Sequence, residues 1–294
     1  MTTAAKTGTF FGRVLKQVVA DGNDFVVHTG DVVEWSKYED FWQNMLDENF
    51  DCLSVIPVQS ISGNHETTYK NGINETYKHF SYAMPDQPTA TGFYYSFSYA
   101  DVKFIMLNTN RLNNNALTDD QYNWLEGQLK NKTEKWTVVA MHNPVYSAGT
   151  YGSKPGKTAV SDKLKTQLGK IFAEYGVDIV LQGHDHCVSR TYPINGNQMP
   201  TADTTEIYDG IEYLLIMVDA ASIIRCWTPI ELNDLSVVTT IGYIRLTFNE
   251  PGSMFCIDLF VIISFAVNNN CPTPFLVVPS SLHNLPNIAF LTIS

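Results

Sequence analysis

Two histidines one residue apart are candidate metal ligands: His184 and His186, in the sequence Gly-His-Asp-His at 183–186. They follow a mostly apolar run at 178–181 that is typical of a buried strand. Three earlier stretches offer partners for them: Gly-Asp at 30–31, Gly-Asn-His-Glu at 63–66 and Met-His at 141–142. Imidazole nitrogens and carboxylate or amide oxygens bind first-row divalent metals, so the four stretches together predict a metal site.

A hydrolytic site with two metal ions needs a carboxylate that bridges them, because one shared ligand holds the cations about 3.5–4 Å apart. Asp31 is the candidate for this bridge. The other candidate ligands supply imidazole or amide atoms: Asn64, His142, His184 and His186. His65 lies beside one of them, and we expect it to donate a proton to a leaving oxygen or to stabilise the transition state.

Each stretch also has an ordinary structural interpretation. A Gly-Asp pair after a strand is usually only a turn. His142 stands before Asn-Pro and could simply end a strand. His28, within an apolar strand, is better interpreted as a buried histidine, or as one that contacts a ligand, than as a ligand itself. Cys187 is better interpreted as a core residue. The occurrence of four such loops in order, each after a predicted strand, favours the metal site.

The elements that must position these loops alternate between helix and strand. Apolar spacing predicts a helix at 11–19, a strand at 24–28, a helix at 35–46 and a strand at 54–59. Such alternation, with polar loops after the strands, predicts an α/β fold that binds ligands at the carboxyl ends of its strands.

The middle of the chain continues the pattern. Further strands are predicted at 93–99 and 102–107 as a hairpin, and at 136–141, 177–181 and 211–218. Thr118 and Gln121 match a capping box that opens a helix, and Ser161 is expected to cap another.

Composition limits the partners. The chain has 294 residues and a net charge of -11, which argues against nucleic acid or an anionic membrane surface as the main partner. Five scattered cysteines indicate no disulfide framework. The amino terminus lacks a signal-peptide core, and the longest apolar stretch, 254–267, is too short to span a bilayer. We expect a soluble protein, with secretion of an intact full-length form left open.

The last part of the chain differs from the rest. Residues 223–294 contain only six of the 49 charged residues and no lysine. We therefore expect one domain at 10–222, and we interpret 223–294 as an atypical tail that is either irregular and β-rich or not part of the native domain.

The four stretches, in this order, resemble the signature of calcineurin-like metallophosphoesterases. The sequence GHDHCVSRTYP at 183–193 is similar to the bacterial branch related to purple acid phosphatases. The resemblance covers about residues 10–222. It implies a four-layer α/β/β/α sandwich and a phosphoester hydrolase, a phosphatase or phosphodiesterase, that uses two metal ions (Fe, Mn, Zn or Ni) and a metal-bound hydroxide.

The resemblance also implies roles for the site residues. Asp31 would bridge the metals, Asn64, His142 and His184 would bind one of them, His186 would bind the other, and His65 would assist catalysis.

Two positions depart from the family pattern. The family begins with a strand whose Asp binds the first metal, but the first acidic residue here is Asp21, at a predicted helix end. Glu34 stands where purple enzymes carry a tyrosine, so no iron charge-transfer colour is expected. We therefore expect a chain that lacks the first strand, a weakened first metal site and impaired turnover. The alternatives are an inactive binding or scaffold protein of the same fold, and a fragment that does not fold stably.

Overall fold

The structure, a computed structural model, follows the predicted alternation of helices and strands. It describes residues 3–67, 72–80, 82, 93–110, 112–147, 150–185, 189–190, 194, 214–217, 243–248 and 257–262. The helices within these residues are α1 (Thr3–Ala20), α2 (Glu39–Leu53), α3 (Asn64–Thr67), α4 (Gly72–His79), α5 (Asp119–Lys130), α6 (Thr150–Ser153) and α7 (Ala159–Glu174). None of them combines the length and apolar character that crossing a bilayer requires.

The strands of the described residues form two large sheets and a small ribbon. The strands are β1 (Phe25–His28), β2 (Val58–Ser60), β3 (Tyr95–Tyr99), β4 (Val102–Met106), β5 (Leu112–Asn113), β6 (Ala116–Leu117), β7 (Trp136–Ala140), β8 (Ile179–Gln182), β9 (Ser189–Arg190), β10 (Leu214–Met217), β11 (Tyr243–Phe248) and β12 (Ile257–Ile262). Sheet A has the order β11-β12-β1-β2, and sheet B has the order β3-β4-β7-β8-β10-β9. Strands β5 and β6 form the ribbon.

Parallel pairing brings the functional loops to common edges. In sheet A, β1 runs parallel to β2, with His28 opposite Ser60. In sheet B, β7 runs parallel to β8, with Ala140 opposite Leu181. The loops that follow these four strands carry the candidate ligands, so each sheet delivers part of the site.

Aromatic side chains fill the space between the two sheets. The ring of Phe25 in β1 contacts the rings of Phe97, Tyr99 and Phe104 edge-on, at centroid distances of 5.7, 5.2 and 5.4 Å. The Tyr95 hydroxyl also donates a hydrogen bond to the Ser60 carbonyl oxygen at 2.8 Å. Sheets A and B therefore face each other.

Helices cover the outer faces of both sheets. Leu15 of α1 and Trp42 of α2 are fully buried in one cluster with Val26 of sheet A. Leu125 of α5 and Phe172 of α7 are fully buried in another cluster, which covers sheet B. The order of layers is helix, sheet, sheet, helix, which confirms the expected four-layer sandwich.

The helix termini show where local patterns sufficed and where they failed. Thr118 caps α5 as predicted, with its hydroxyl accepting the backbone N–H of Gln121 at 3.4 Å. The Gln121 side chain instead bonds the backbone of Asn108, accepting its N–H at 2.8 Å and donating to its carbonyl at 3.0 Å. The prediction that Ser161 caps a helix is wrong, because α7 begins at Ala159 and Ser161 lies buried in its first turn.

Helix α2 begins four residues later than its apolar spacing predicts. Ser36 is held elsewhere, since its hydroxyl contacts the carbonyl oxygens of His65 and Glu66 at 2.8 and 3.2 Å. The Trp42 indole donates to the Ser36 carbonyl at 2.9 Å. Residues 35–38 therefore form a turn that ties this segment to the loop after β2, and tertiary contacts override helix propensity there.

Two strands of the tail join sheet A. Strand β12 pairs in parallel with β1, with Phe25 opposite Leu259, and β11 pairs antiparallel with β12. The domain boundary at residue 222 stays a prediction.

Candidate metal centre

The loop after β1 brings Asp31 to the centre, and a buried glutamate fixes its backbone. Glu66 Oε2 accepts the N–H groups of Asp31 and Gly63, both at 2.7 Å, and Oε1 accepts that of Val33 at 3.3 Å. Glu66 is fully buried. One carboxylate thus joins the loop after β1 to the loop after β2.

Two glycines allow these loops to touch. A Cβ atom on Gly63 would lie 2.0 Å from Asp31 Oδ1, and one on Gly30 would lie 2.6 Å from the Gly63 nitrogen. Gly30 also has a φ of +94°, in the region where a side chain is strained. Asp31 itself has a φ of 57°, an unusual conformation that the surrounding contacts must hold in place.

The loop after β7 delivers His142 in a fixed orientation. Its Nδ1 lies 2.7 Å from the Thr29 carbonyl oxygen, so Nδ1 carries the proton and donates it. Its Nε2 lies 3.0 Å from Asn64 Oδ1 and 3.3 Å from Asp31 Oδ2. A histidine whose second nitrogen donates to a carbonyl is the arrangement found at metal-ligating imidazoles.

His184 completes the group from the loop after β8. Its Nδ1 lies 2.8 Å from Asn64 Oδ1, and its ring centroid lies 5.1 Å from that of His142. Potential ligand atoms of Asp31, His142 and His184 all lie within 4.8 Å of one another. The structure therefore brings together four of the residues that the sequence singled out.

The chemistry of this group fits a cation. A neutral His142 that donates from Nδ1 presents a lone pair at Nε2, where it faces the Asn64 oxygen and the Asp31 carboxylate. Three acceptors that converge repel one another unless a proton or a metal ion lies among them. Carboxylate, amide and imidazole ligands suit first-row divalent ions.

The pKa values of two of these residues, Asp31 and His142, are shifted by their proximity. Burial opposes ionisation of Asp31, but the charges of His142 and His65 and their hydrogen bonds outweigh it and lower the pKa of the carboxyl. Burial likewise opposes protonation of His142, but the neighbouring Asp31 raises its pKa. Asp31 and His142 therefore form a buried pair in which each stabilises the charge of the other.

His65 lies at the rim of the centre. Its backbone N–H donates to Asp31 Oδ1 at 2.9 Å, and its Nδ1 lies 2.7 Å from the Glu34 carbonyl oxygen. Its Nε2 is 3.9 Å from Asp31 Oδ2. Burial favours the neutral ring, but Asp31 and the bond to Glu34 raise the pKa of His65 overall. A partly exposed, readily protonated imidazole thus stands beside the candidate ligands.

Some site residues could not be found from the sequence, and others lie outside the described residues. The Thr29 carbonyl has no side-chain signal, and the link from Glu66 to two loops follows only from the fold. His28 is buried, as expected, and burial lowers its pKa to about 3. His186 and Cys187 lie outside the described residues.

A family model described as calcineurin-like phosphoesterase matches residues 9–188. Among curated relatives, purple acid phosphatase 15 of Arabidopsis thaliana is 27% identical over 159 residues, which is 52% of this chain and 28% of that protein. Purple acid phosphatase 23 of the same plant is 33% identical over 160 residues, 51% of this chain and 32% of that protein. The chain thus matches about a third of the length of these relatives.

A solved structure shows the same fold. Purple acid phosphatase PPD1 from yellow lupin (Lupinus luteus) seeds superimposes with a TM-score of 0.62 at 21% identity, over 92% of this chain and 53% of that one. At this identity the similarity establishes the fold, in agreement with the layer order and sheet arrangement above.

Proposed function

The chain belongs to the calcineurin-like phosphoesterase family, and we propose that it hydrolyses phosphoesters with the help of bound metal. The observation that carries the proposal is the convergence of the Asp31 carboxylate, the Asn64 oxygen and the ring nitrogens of His142 and His184. A bound divalent cation would supply positive charge that polarises a phosphoryl oxygen and makes a bound water more acidic.

One metal position is complete, and its neighbour is not. Asp31, Asn64, His142 and His184 make up the complete position. The second position would share Asp31 and add His186. Glu34, in the same loop as Asp31, could supply a further carboxyl group. Since the described residues bring together one such group of candidate ligands, we propose one tightly held metal per chain and weak turnover.

Other groups of the chain orient the two histidines and supply a proton. The Thr29 carbonyl holds the His142 ring so that Nε2 faces the centre. The Glu34 carbonyl holds His65 in the same way, and the raised pKa of His65 favours a proton at its Nε2. We propose that His65 donates this proton to the leaving oxygen of the ester, a step that contributes about 10²–10⁴-fold to rate in comparable enzymes.

The test combines metal content with turnover. Purified protein should hold about one equivalent of a first-row metal by elemental analysis and should hydrolyse an aryl phosphate or a bis-aryl phosphate slowly. Asn64→Ala and His184→Ala should each lose both the metal and the activity. Asn131→Ala and His79→Gln are matched controls, because Asn131 caps the end of α5, and His79, in α4, packs on Trp42 of α2.

Variants of His65 separate binding from chemistry. His65→Gln should retain the metal and lose turnover by the factor given above. Two tightly bound equivalents with robust turnover would contradict the single-metal proposal. Binding of phosphorylated ligands that survives Asn64→Ala, without turnover in the unaltered chain, would favour the inactive scaffold instead.

A further inference from the structure

Asp185 lies between the two histidines of the 183–186 sequence, but its carboxylate serves another segment. Its Oδ1 accepts the Thr150 N–H at 2.8 Å, and its Oδ2 accepts the Tyr151 N–H at 2.8 Å and the Ser147 hydroxyl. The residue is only 6% exposed. Three donors occupy the two oxygens, and Asp185 is not among the converging ligand atoms of the centre.

The segment that Asp185 holds packs tightly. Gln182, at the end of β8, accepts the Val145 N–H at 2.9 Å and donates to the Tyr146 carbonyl, so the same strand and its loop tether this segment at two points. A Cβ atom on Gly152 would lie 2.0 Å from the Ser147 carbonyl oxygen. The backbone around Tyr151 therefore has little freedom to move away from β8.

This arrangement places an aromatic ring against a candidate ligand. The Tyr151 ring centroid lies 4.1 Å from that of His184, with the planes tilted by 40°. His184 has a φ of 72°, a backbone conformation that residues other than glycine rarely adopt. An imidazole on such a backbone needs external contacts to keep one orientation, and Tyr151 supplies one.

We propose that Asp185 is a positioning residue for the metal centre and that it acts through Tyr151. The carboxylate fixes the backbone of Thr150 and Tyr151, the fixed backbone holds the Tyr151 ring on His184, and the ring keeps the His184 nitrogen directed at Asn64. The metal consequence rests on the proposed function, whereas the position of the ring can be tested without metal.

The experiment uses the full chain, first stripped of metal. Nuclear magnetic resonance of the histidine ring protons should show His184, identified by its loss in His184→Gln, shifted by the ring current of Tyr151. Asp185→Asn should remove this shift, because an amide cannot accept bonds at both terminal atoms. The matched control is Asp178→Asn, whose carboxylate accepts the Thr137 N–H at 2.7 Å at the opposite end of β8. That variant should leave the His184 signal in place.

Titration with Co²⁺, followed by its visible absorption, tests the consequence for binding. Asp185→Asn should weaken binding by about 10–100-fold, as loss of an outer-shell partner does at other metal sites. Tyr151→Ala should weaken it as well, while Tyr151→Phe, which keeps the ring, should restore the affinity. The double variant Tyr151→Ala/Asp185→Asn should bind no more weakly than Asp185→Asn alone, because the two act in one chain of contacts.

The outcomes separate the two proposals. An unchanged His184 resonance in Asp185→Asn, additive losses in the double variant, or a loss in Tyr151→Phe equal to that in Tyr151→Ala would overturn the positioning role. A chain that binds no Co²⁺ but shows the predicted resonance shifts would overturn the metal centre and leave the contact from Asp185 through Tyr151 to His184 standing.

Discussion

The two sheets contribute chemically different halves of the centre. The loops of sheet A carry the candidate oxygen ligands, Asp31 and Asn64, and those of sheet B carry the candidate nitrogen ligands, His142 and His184. The closest contacts cross from one half to the other: Asn64 Oδ1 reaches both imidazoles, and the Thr29 carbonyl of sheet A orients His142. Neither sheet supplies all of these candidate ligands, so we expect the affinity for metal to depend on how the sheets pack.

The largest effect is expected from the aromatic layer between the sheets. Phe104 is fully buried there, stacked on Phe97 at 4.8 Å, and Phe172 is equally buried on the outer side of sheet B. Either Phe→Ala change should cost about 3–5 kcal/mol of unfolding free energy. Phe104→Ala should also weaken metal binding in the protein that remains folded, because it loosens the sheet-to-sheet contact.

Chemical denaturation measures the free energy of unfolding of each Phe→Ala variant, and titration under native conditions measures its affinity for metal. Phe172→Ala serves as the control of equal size. If both variants lost metal affinity to the same extent, the dependence on sheet packing would be wrong, and general loosening of the fold would explain the loss.

The next effect concerns the contact between the two loops of sheet A. Gly63→Ala places a methyl group against Asp31, so the loops must move apart at a cost of about 1–3 kcal/mol, and the Asp31 carboxylate should leave its position. Metal affinity should fall with stability. Gly127→Ala in α5 is the matched control, since its Cβ meets nothing within 4 Å.

Thermal melting with and without metal follows both glycine variants. Gly127→Ala should be stabilised by about 0.5–1 kcal/mol, as expected in a helix interior. Metal affinity unchanged in Gly63→Ala would show that the loops can separate without disturbing the centre.

The two sheets also differ in how far the sequence predicts them. Strands β7 and β8 are short runs rich in Val and Ile, and their periodicity identified them together with the loops that carry His142 and His184. The position of β12 beside β1 could not be predicted, because pairing Phe25 with Leu259 is a non-local contact that no local pattern encodes.

The same distinction holds within the centre. The candidate ligands can be predicted from their residue types and from their positions directly after strands. The residues that hold them, Glu66 and Asp185, act by accepting backbone N–H groups from other loops, and the sequence contains no sign of which loop that is. Thr29 contributes only its carbonyl oxygen. Support of this kind depends on contacts between loops that are distant in sequence, so the sequence alone does not predict it.

The smallest expected effect is the dependence of folding stability on pH that Glu66, beside the oxygen half of the centre, contributes. Burial and the nearby Asp31 charge raise the pKa of Glu66 in sheet A to about 7, in spite of the N–H bonds from Gly63 and Asp31. Between about pH 4.5 and 7 the unfolded chain has therefore lost a proton that the folded metal-free chain retains. The contribution of Glu66 to folded stability should therefore decline as pH rises through this window, by at most about 1.4 kcal/mol per pH unit for one proton.

His28 opposes this trend: burial lowers its pKa to about 3, so between about pH 3 and 6.5 the unfolded chain holds a proton that the folded chain lacks, and this contribution to stability rises with pH. The lowered pKa of Asp31 makes stability fall only as the solution becomes more acidic than the ordinary range of an aspartate, below the Glu66 window. The raised pKa values of His142 and His65 make stability fall as pH rises beyond the ordinary range of histidine, which extends the decline in the same direction.

Glu66→Gln should remove the Glu66 contribution, so its stability relative to the unaltered chain should rise between pH 4.5 and 7, because the amide is neutral throughout and its oxygen can still accept the Asp31 and Gly63 N–H groups. Glu126→Gln, on the exposed face of α5, should keep the slope of the unaltered chain. Melting temperatures of metal-free protein across this range measure both. An unchanged slope in Glu66→Gln would assign the pH response to the histidines His28, His65 and His142, and the Glu66 carboxyl would then contribute nothing to it.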